Sequence, residues 1–232
     1  DHQGQEIYLD THALEDAWNS PTRTEIQQAL EQGIEHPNCQ ACWDDEHSGK
    51  KSRRQHVNEA PMLWQGKQDN LDQPQILDLK LGNICNLKCR ICGSWSSSKW
   101  AAEELEYMPK DFDKKTHTAY QWLKQGKWVQ ESPNFWDNLK TLLPNIKYFE
   151  FTGGEPFLIQ EHFDMLQGIV DRGIAHQVEI HYNTNGTQYP EHAESIWSQF
   201  KNVEIAFSID DLNLRFEYQR TNAQWSDVVA NI

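Results

Sequence analysis

From residue 76 to the end, short segments rich in β-branched and aromatic residues take turns with longer stretches of helical periodicity. This alternation restricts the chain to parallel βαβ units, because strands joined through helices pair in parallel. Strands are expected at about 76–81, 146–151, 178–182 and 203–209, and helices at about 94–107, 135–143, 161–171, 191–200 and from 225 onward. A polar and aromatic insertion at 108–133 has no assigned structure. Residues 1–64 are mostly polar, with a helix expected to open at Ser20-Pro21 and stop near Gly33 on the strength of a serine cap, a proline at the first helical position and a glycine stop. The chain thus divides into a small cysteine-containing segment at 1–64, a linker rich in Gln, Asp and Asn at 65–74, and an α/β core at 75–232.

The five cysteines fall into two tight groups, Cys39 and Cys42 in CQAC, and Cys85, Cys89 and Cys92 in CNLKCRIC. Disulfide scaffolds scatter their cysteines and pair them evenly, so this grouping points to metal or cluster ligation in a reducing compartment. A cytoplasmic protein is expected. Acidic residues outnumber basic ones by 35 to 21, which argues against a phosphate-backbone binder, and no nucleic-acid partner is expected. No run of about 18 apolar residues is present, so no membrane span is expected either. Residue 1 is Asp rather than Met and the last helix looks cut in mid-course, so the natural chain is expected to continue beyond both ends.

Three motifs lie just past the carboxyl ends of expected strands: the cysteine triplet after the first, Thr152-Gly153-Gly154-Glu155-Pro156 after the second and Asn183-Thr184-Asn185-Gly186 after the third. Loops at that end of a parallel sheet gather on one face, where sites are built. Three thiolates are one short of a closed four-cysteine cluster. A cubane cluster held this way keeps one iron open to an outside ligand, and an open position separates a catalytic metal from a structural one. A zinc site shared between the two cysteine groups is the competing account. It fits poorly, because 46 residues separate Cys42 from Cys89, against about 15 to 20 in zinc ribbons, and Cys85 would be unused. Gly153 and Gly154 let a strand-end backbone approach a ligand closely, and Glu155 offers an acceptor to an ammonium group. An ordinary Gly-Gly turn with a solvated glutamate is the plainer alternative.

CNLKCRIC followed by TGGEP on the next strand resembles the radical S-adenosylmethionine (radical SAM) enzymes, over about residue 75 to the end. The resemblance implies a partial (βα)6 TIM-type barrel without its last strands. Cys85, Cys89 and Cys92 would hold a [4Fe-4S] cluster whose free iron chelates S-adenosylmethionine. Reductive cleavage of the sulfonium would give a 5′-deoxyadenosyl radical that abstracts hydrogen, with ferredoxin or flavodoxin as electron donor. Gly153, Gly154 and Glu155 match the motif that receives the methionine amino group, and Asn183 and Thr184 resemble residues near the ribose and methionine. Ser208 and Arg220 resemble positions that hold the carboxylate or ribose, although a surface salt bridge serves Arg220 equally well. The residue before the third cysteine, often aromatic in the family and packed near adenine, is Ile91 here. The frequent SxDG reads Ser208-Ile209-Asp210-Asp211, without its glycine.

Residues 36–55 resemble the end of a twitch or SPASM module, which implies an auxiliary iron–sulfur cluster on Cys39 and Cys42 with further ligands upstream. A zinc knuckle or an idle thiol pair is the alternative there. Lys50, Lys51, Arg53 and Arg54 could screen that cluster's charge, or form a solvated basic turn. Twitch and SPASM modules often accompany peptide-modifying members, so a peptide or protein substrate is the expectation. A non-catalytic iron–sulfur or zinc-binding module and a ferredoxin-type carrier are the readings outside enzymology, and the carrier would need a fourth thiolate near the triplet.

Overall fold

The computed structural model describes residues 12–59 and 73–232. Of the expected linker, positions 65–72 lie outside the described residues. Among the described residues are six strands: β1 (Ile76–Lys80), β2 (Lys88–Cys89), β3 (Tyr148–Thr152), β4 (Glu179–Thr184), β5 (Asn202–Phe207) and β6 (Arg220–Thr221). Four of them form one sheet in the order β1-β3-β4-β5, every pair parallel. The spatial order follows the chain order without reversal, as in a barrel wall and unlike a doubly wound sheet with its switch point. β2 and β6 pair antiparallel as a separate two-residue ladder.

Side chains alternate between the two faces of the sheet. On one face Leu79, Phe149, Phe151, Ile180 and Tyr182 are buried and join the main core. Helices Pro133–Leu142 and Gln160–Asp171 close over them through Phe135, Leu139, Phe163, Leu166 and Ile169. The opposite face is polar. There Asp78, Glu150, His181 and Glu204 stand in register across the four strands of the sheet. The helix Arg53–Glu59 reaches this face, where Arg53 Nη2 donates to Glu150 Oε2 at 2.8 Å.

A buried imidazole packs into the main core. His162 is fully buried, with Nε2 3.2 Å from the Tyr182 hydroxyl, which also accepts from Trp197 Nε1 at 3.4 Å. Burial pushes the imidazole pKa down to about 3, so the ring is neutral in the fold. In the unfolded chain it titrates near 6.5, and below that pH the unfolded state binds a proton the folded state refuses. Stability is therefore expected to fall as pH drops from about 6.5 toward 3, with a loss of about 2 kcal/mol from this group at pH 5. Urea unfolding at pH 7 and pH 5 checks this, with His162→Gln as reference. Equal pH dependence in the two proteins would assign the effect elsewhere.

Several expected elements shift. The helix expected at 94–107 begins only at Ser98, because 94–97 are held in turns: Asn83 Nδ2 donates to the Ser94 carbonyl at 2.7 Å, and Ser97 Oγ to the Leu87 carbonyl at 2.6 Å. The segment at 191–200 is a single 3-10 turn, Glu191–Ala193, followed by the short helix Glu194–Trp197. The unassigned insertion forms the 3-10 turn Lys114–Thr116 and helices Thr118–Gln125 and Trp128–Glu131. Ala119 from the first of these helices packs with Ala101 and Leu105 of Ser98–Glu106 in a satellite core. The helix Pro21–Glu31 starts and stops as expected, with Ser20 Oγ accepting from the Arg23 amide. No helix among the described residues is long and apolar enough to cross a membrane.

Candidate active site

The loop after β1 carries the three cysteines, and three kinds of restraint fix it. Leu81 and Leu87 are buried anchors at 1% and 0% exposure. The Cys89 carbonyl accepts from Trp100 Nε1 at 2.8 Å and from the Cys92 amide at 3.1 Å. The β2–β6 ladder ties Cys89 to Arg220, continued by the Arg90 amide donating to the Gln219 carbonyl at 2.8 Å. Nitrogen donors also reach the sulfurs. Leu87 N and Asn185 Nδ2 lie 3.4 and 3.8 Å from Cys85 Sγ, and Arg220 Nη1 lies 3.7 Å from Cys89 Sγ.

The second loop, 152–156, packs its backbone directly on the first. Gly154 N donates to the Gly82 carbonyl at 3.0 Å and Glu155 N to the Ile84 carbonyl at 2.8 Å. A Cβ on Gly154 would lie 2.1 Å from the Ile84 oxygen, and Gly153 holds φ +128, which side chains disfavour. The two glycines are therefore required for backbone to meet backbone, whatever ligand the loop also faces. Glu155 turns inward and is 1% exposed. Its Oε1 accepts from Thr184 Oγ1 at 2.7 Å and from the Phe157 amide at 3.2 Å, while Oε2 accepts from the Asn185 amide at 2.7 Å. Burial pushes its pKa up against the pull of these donors. The solvated glutamate of the plainer sequence account is absent.

The third loop closes on the first through a ring of side-chain hydrogen bonds. Asn185 Nδ2 donates to Asn86 Oδ1 (2.9 Å), Asn86 Nδ2 to Thr187 Oγ1 (2.7 Å), and Thr187 Oγ1 to Asn185 Oδ1 (2.7 Å). Every member both gives and receives, which polarises the ring cooperatively and fixes one loop against the other. From the fourth loop the Ser208 amide donates to the Thr184 carbonyl at 2.8 Å.

A pocket of about 220 Å³ opens where these loops meet, with Cys85, Cys89 and Cys92 in its wall. Among the expected cofactor contacts, Ile91, Gly153, Gly154, Asn183, Thr184, Ser208 and Arg220 share that wall, and Glu155 does not. Ile91 is 68% exposed at the rim. Leu87, Ser96, Ser97 and Thr152 also line it and were missed in the sequence. Their one signal was proximity, since Thr152 precedes the glycine pair and Ser96 and Ser97 follow Gly93. The hydrogen bond between Cys89 and Cys92 pushes the Cys92 thiol down to about 6 and, with burial, pushes Cys89 up. Burial pushes Cys85 up as well.

The model of the radical SAM superfamily matches residues 79–232. The chain belongs to that superfamily. No curated protein matches it. Radical SAM membership implies a [4Fe-4S] cluster and S-adenosylmethionine, and the residues present fit an anionic, sulfur-ligated group. Three cysteines face one pocket, N–H donors point at two of their sulfurs, and the buried cation Arg220 stands beside them, ion-paired to Asp210 through Nε at 2.8 Å. Among the described residues no three His, Cys, Asp or Glu side chains come close enough to hold a single metal ion.

A broader hollow of about 660 Å³ lies between 187–191 and the helix Trp225–Asn231, and its wall holds no cysteine. In the amino-terminal segment Cys39 caps the helix Gln40–His47 and Cys42 lies within it, both partly exposed free thiols. Three of the nearby cations are engaged with carboxylates: Arg54 with Glu46 at 2.6 Å, Arg53 with Glu150 at 2.8 Å, and Lys51 with Glu59. Arg54 also covers the buried Trp43 ring at 4.5 Å. These three side chains thus hold this segment together and to the sheet.

Proposed function

We propose that this chain is the core of a radical SAM enzyme that acts on a peptide or protein substrate, with Cys85, Cys89 and Cys92 as cluster ligands. The carrying observation is the convergence of four strand-end loops on one pocket, where the three cysteines share a wall with Gly153, Gly154, Asn183, Thr184, Ser208 and Arg220. When bound, the cluster and S-adenosylmethionine supply reductive C–S cleavage and hydrogen-atom abstraction; the protein supplies position and exclusion of water. Cys85 and Cys89 present sulfurs already supplied with N–H donors. Gly153 and Gly154 bring backbone to the pocket edge, Asn183 and Ser208 offer polar contacts to the nucleoside and amino acid, and Ile91 gives an aliphatic surface for adenine. Glu155 acts from beneath, fixing Thr184, Asn185 and the Phe157 amide through its three hydrogen bonds.

The in-order parallel sheet supports a (βα)6 barrel in the complete protein, with 75–232 as its core and 1–64 as a separate cysteine-bearing segment. Free Cys39 and Cys42 on one helical turn support an auxiliary iron–sulfur cluster of twitch or SPASM type there. That likeness in turn is the support for a peptide substrate. Five free thiols support a cytoplasmic enzyme, with ferredoxin or flavodoxin as its electron donor.

The test is anaerobic reconstitution of the full-length protein with iron and sulfide, followed by metal analysis and incubation with dithionite and S-adenosylmethionine. Iron and sulfide should load at about four each per triplet, and 5′-deoxyadenosine should form. Zinc alone on Cys85, Cys89 and Cys92 would overturn the proposal.

A further inference from the structure

Three N–H groups reach the cysteine sulfurs, and they differ in charge. The Leu87 amide and the Asn185 carboxamide, both on Cys85, are neutral, whereas the donor on Cys89 is the Arg220 guanidinium at 3.7 Å. Arg220 is 6% exposed, so solvent and salt screen its charge weakly. Its position is built in. The β2–β6 ladder sets Arg220 opposite Cys89, and the guanidinium lies 5.8 Å over the buried Phe216 ring. On its other side Asp210 Oδ2 lies 2.8 Å from Nε, out of line with the N–H, so that contact is an ion pair without a hydrogen bond. Nη1 and Nε are thus committed to a cysteine sulfur and a carboxylate.

We propose that Arg220 and Asp210 form an opposed charge pair that sets the reduction potential of the cluster, Arg220 raising it and Asp210 lowering it. The inference rests on the assignment of Cys89 as a cluster ligand. Adding one electron to a sulfur-ligated cluster adds one negative charge in a buried place. A cation on a ligand sulfur favours that form, and a carboxylate behind the cation opposes it. Arg220 is a positioning residue in this role, acting through Cys89. The two residues flank the active-site loop as a pair, so removing them one at a time should move the potential in opposite directions.

The experiment is an EPR-monitored redox titration of the reconstituted full-length protein, with dithionite as electron source, for wild type, Arg220→Gln, Arg220→Lys and Asp210→Asn. At the wild-type midpoint the reduced-to-oxidised ratio should fall at least about tenfold in Arg220→Gln, equivalent to about 59 mV for one electron. Arg220→Lys should recover most of that ratio, and Asp210→Asn should raise it above wild type. If Arg220→Gln fails to hold its cluster, the upward shift in Asp210→Asn decides the matter alone. Titrations that overlay wild type, or shifts of the same sign in Arg220→Gln and Asp210→Asn, would overturn the inference while leaving the ligand assignment intact. A wild-type protein that gives no reduced-cluster signal would instead overturn the assignment itself and the inference with it.

Discussion

Cys89→Ala is expected to reduce 5′-deoxyadenosine formation to the no-protein background, and to leave a protein that retains far less iron than wild type. Cys89 is the central thiolate of the triplet, 4% exposed and held from three sides. Its backbone pairs with Arg220, its carbonyl accepts from Trp100, and its sulfur accepts from the Arg220 guanidinium. Two remaining thiolates cannot hold a cubane in the geometry that leaves a single iron open. The alanine also leaves a buried cation without its sulfur partner, so some loss of stability accompanies the loss of activity. A thermal melt of the apoprotein separates the two effects: folding should survive while product is absent. Equal yields of 5′-deoxyadenosine from the two proteins would refute Cys89 as a ligand.

Gly154→Ala is expected to destabilise the core by about 3 kcal/mol or more, an effect at the upper end for one methyl group. The added carbon would lie 2.1 Å from the Ile84 carbonyl oxygen, 2.5 Å from its carbon and 2.7 Å from the Asn83 carbonyl carbon. All three are backbone atoms, so no side chain can swing away. Relief requires the loop after β3 to part from the loop after β1, which breaks the bonds from Gly154 and Glu155 to the Gly82 and Ile84 carbonyls. Glu155 would move with them and release Thr184 and Asn185. Gly33 is the natural control: its φ is +70 but an added Cβ meets nothing within 4 Å, so Gly33→Ala should cost only about 1–2 kcal/mol. Chemical denaturation of both variants measures the difference, and equal losses would show that the loop contact is not what Gly154 serves.

The sequence disclosed the parallel sheet because its strands have sharp apolar cores between helical segments; Ile76–Lys80 and Tyr148–Thr152 lie within two residues of their expected bounds. It also disclosed the loops that carry the pocket, since a parallel sheet sends its strand ends to one face. What stayed hidden depends on contacts distant in the chain. Residues 94–97, Ser-Trp-Ser-Ser, are held in turns by tertiary bonds to Asn83 and Leu87 rather than joining the expected helix. The pairing of Cys89 with Arg220 joins positions 131 residues apart and leaves no local pattern. Glu155 shows the same limit: a motif gives its residue type and place, but only the fold shows the carboxylate turned inward onto Thr184 and Asn185. The glycine pair was legible as a close approach, with the partner revealed by the fold as backbone 82–84.

In the proposed function, Cys85, Cys89 and Cys92 leave one iron of a cubane open to S-adenosylmethionine. Low-temperature EPR of the reduced, reconstituted full-length protein before and after addition of S-adenosylmethionine tests this open position. The g values should change on addition, and the change should be lost in Cys89→Ala. An unchanged spectrum from a fully loaded cluster would rule out the open iron.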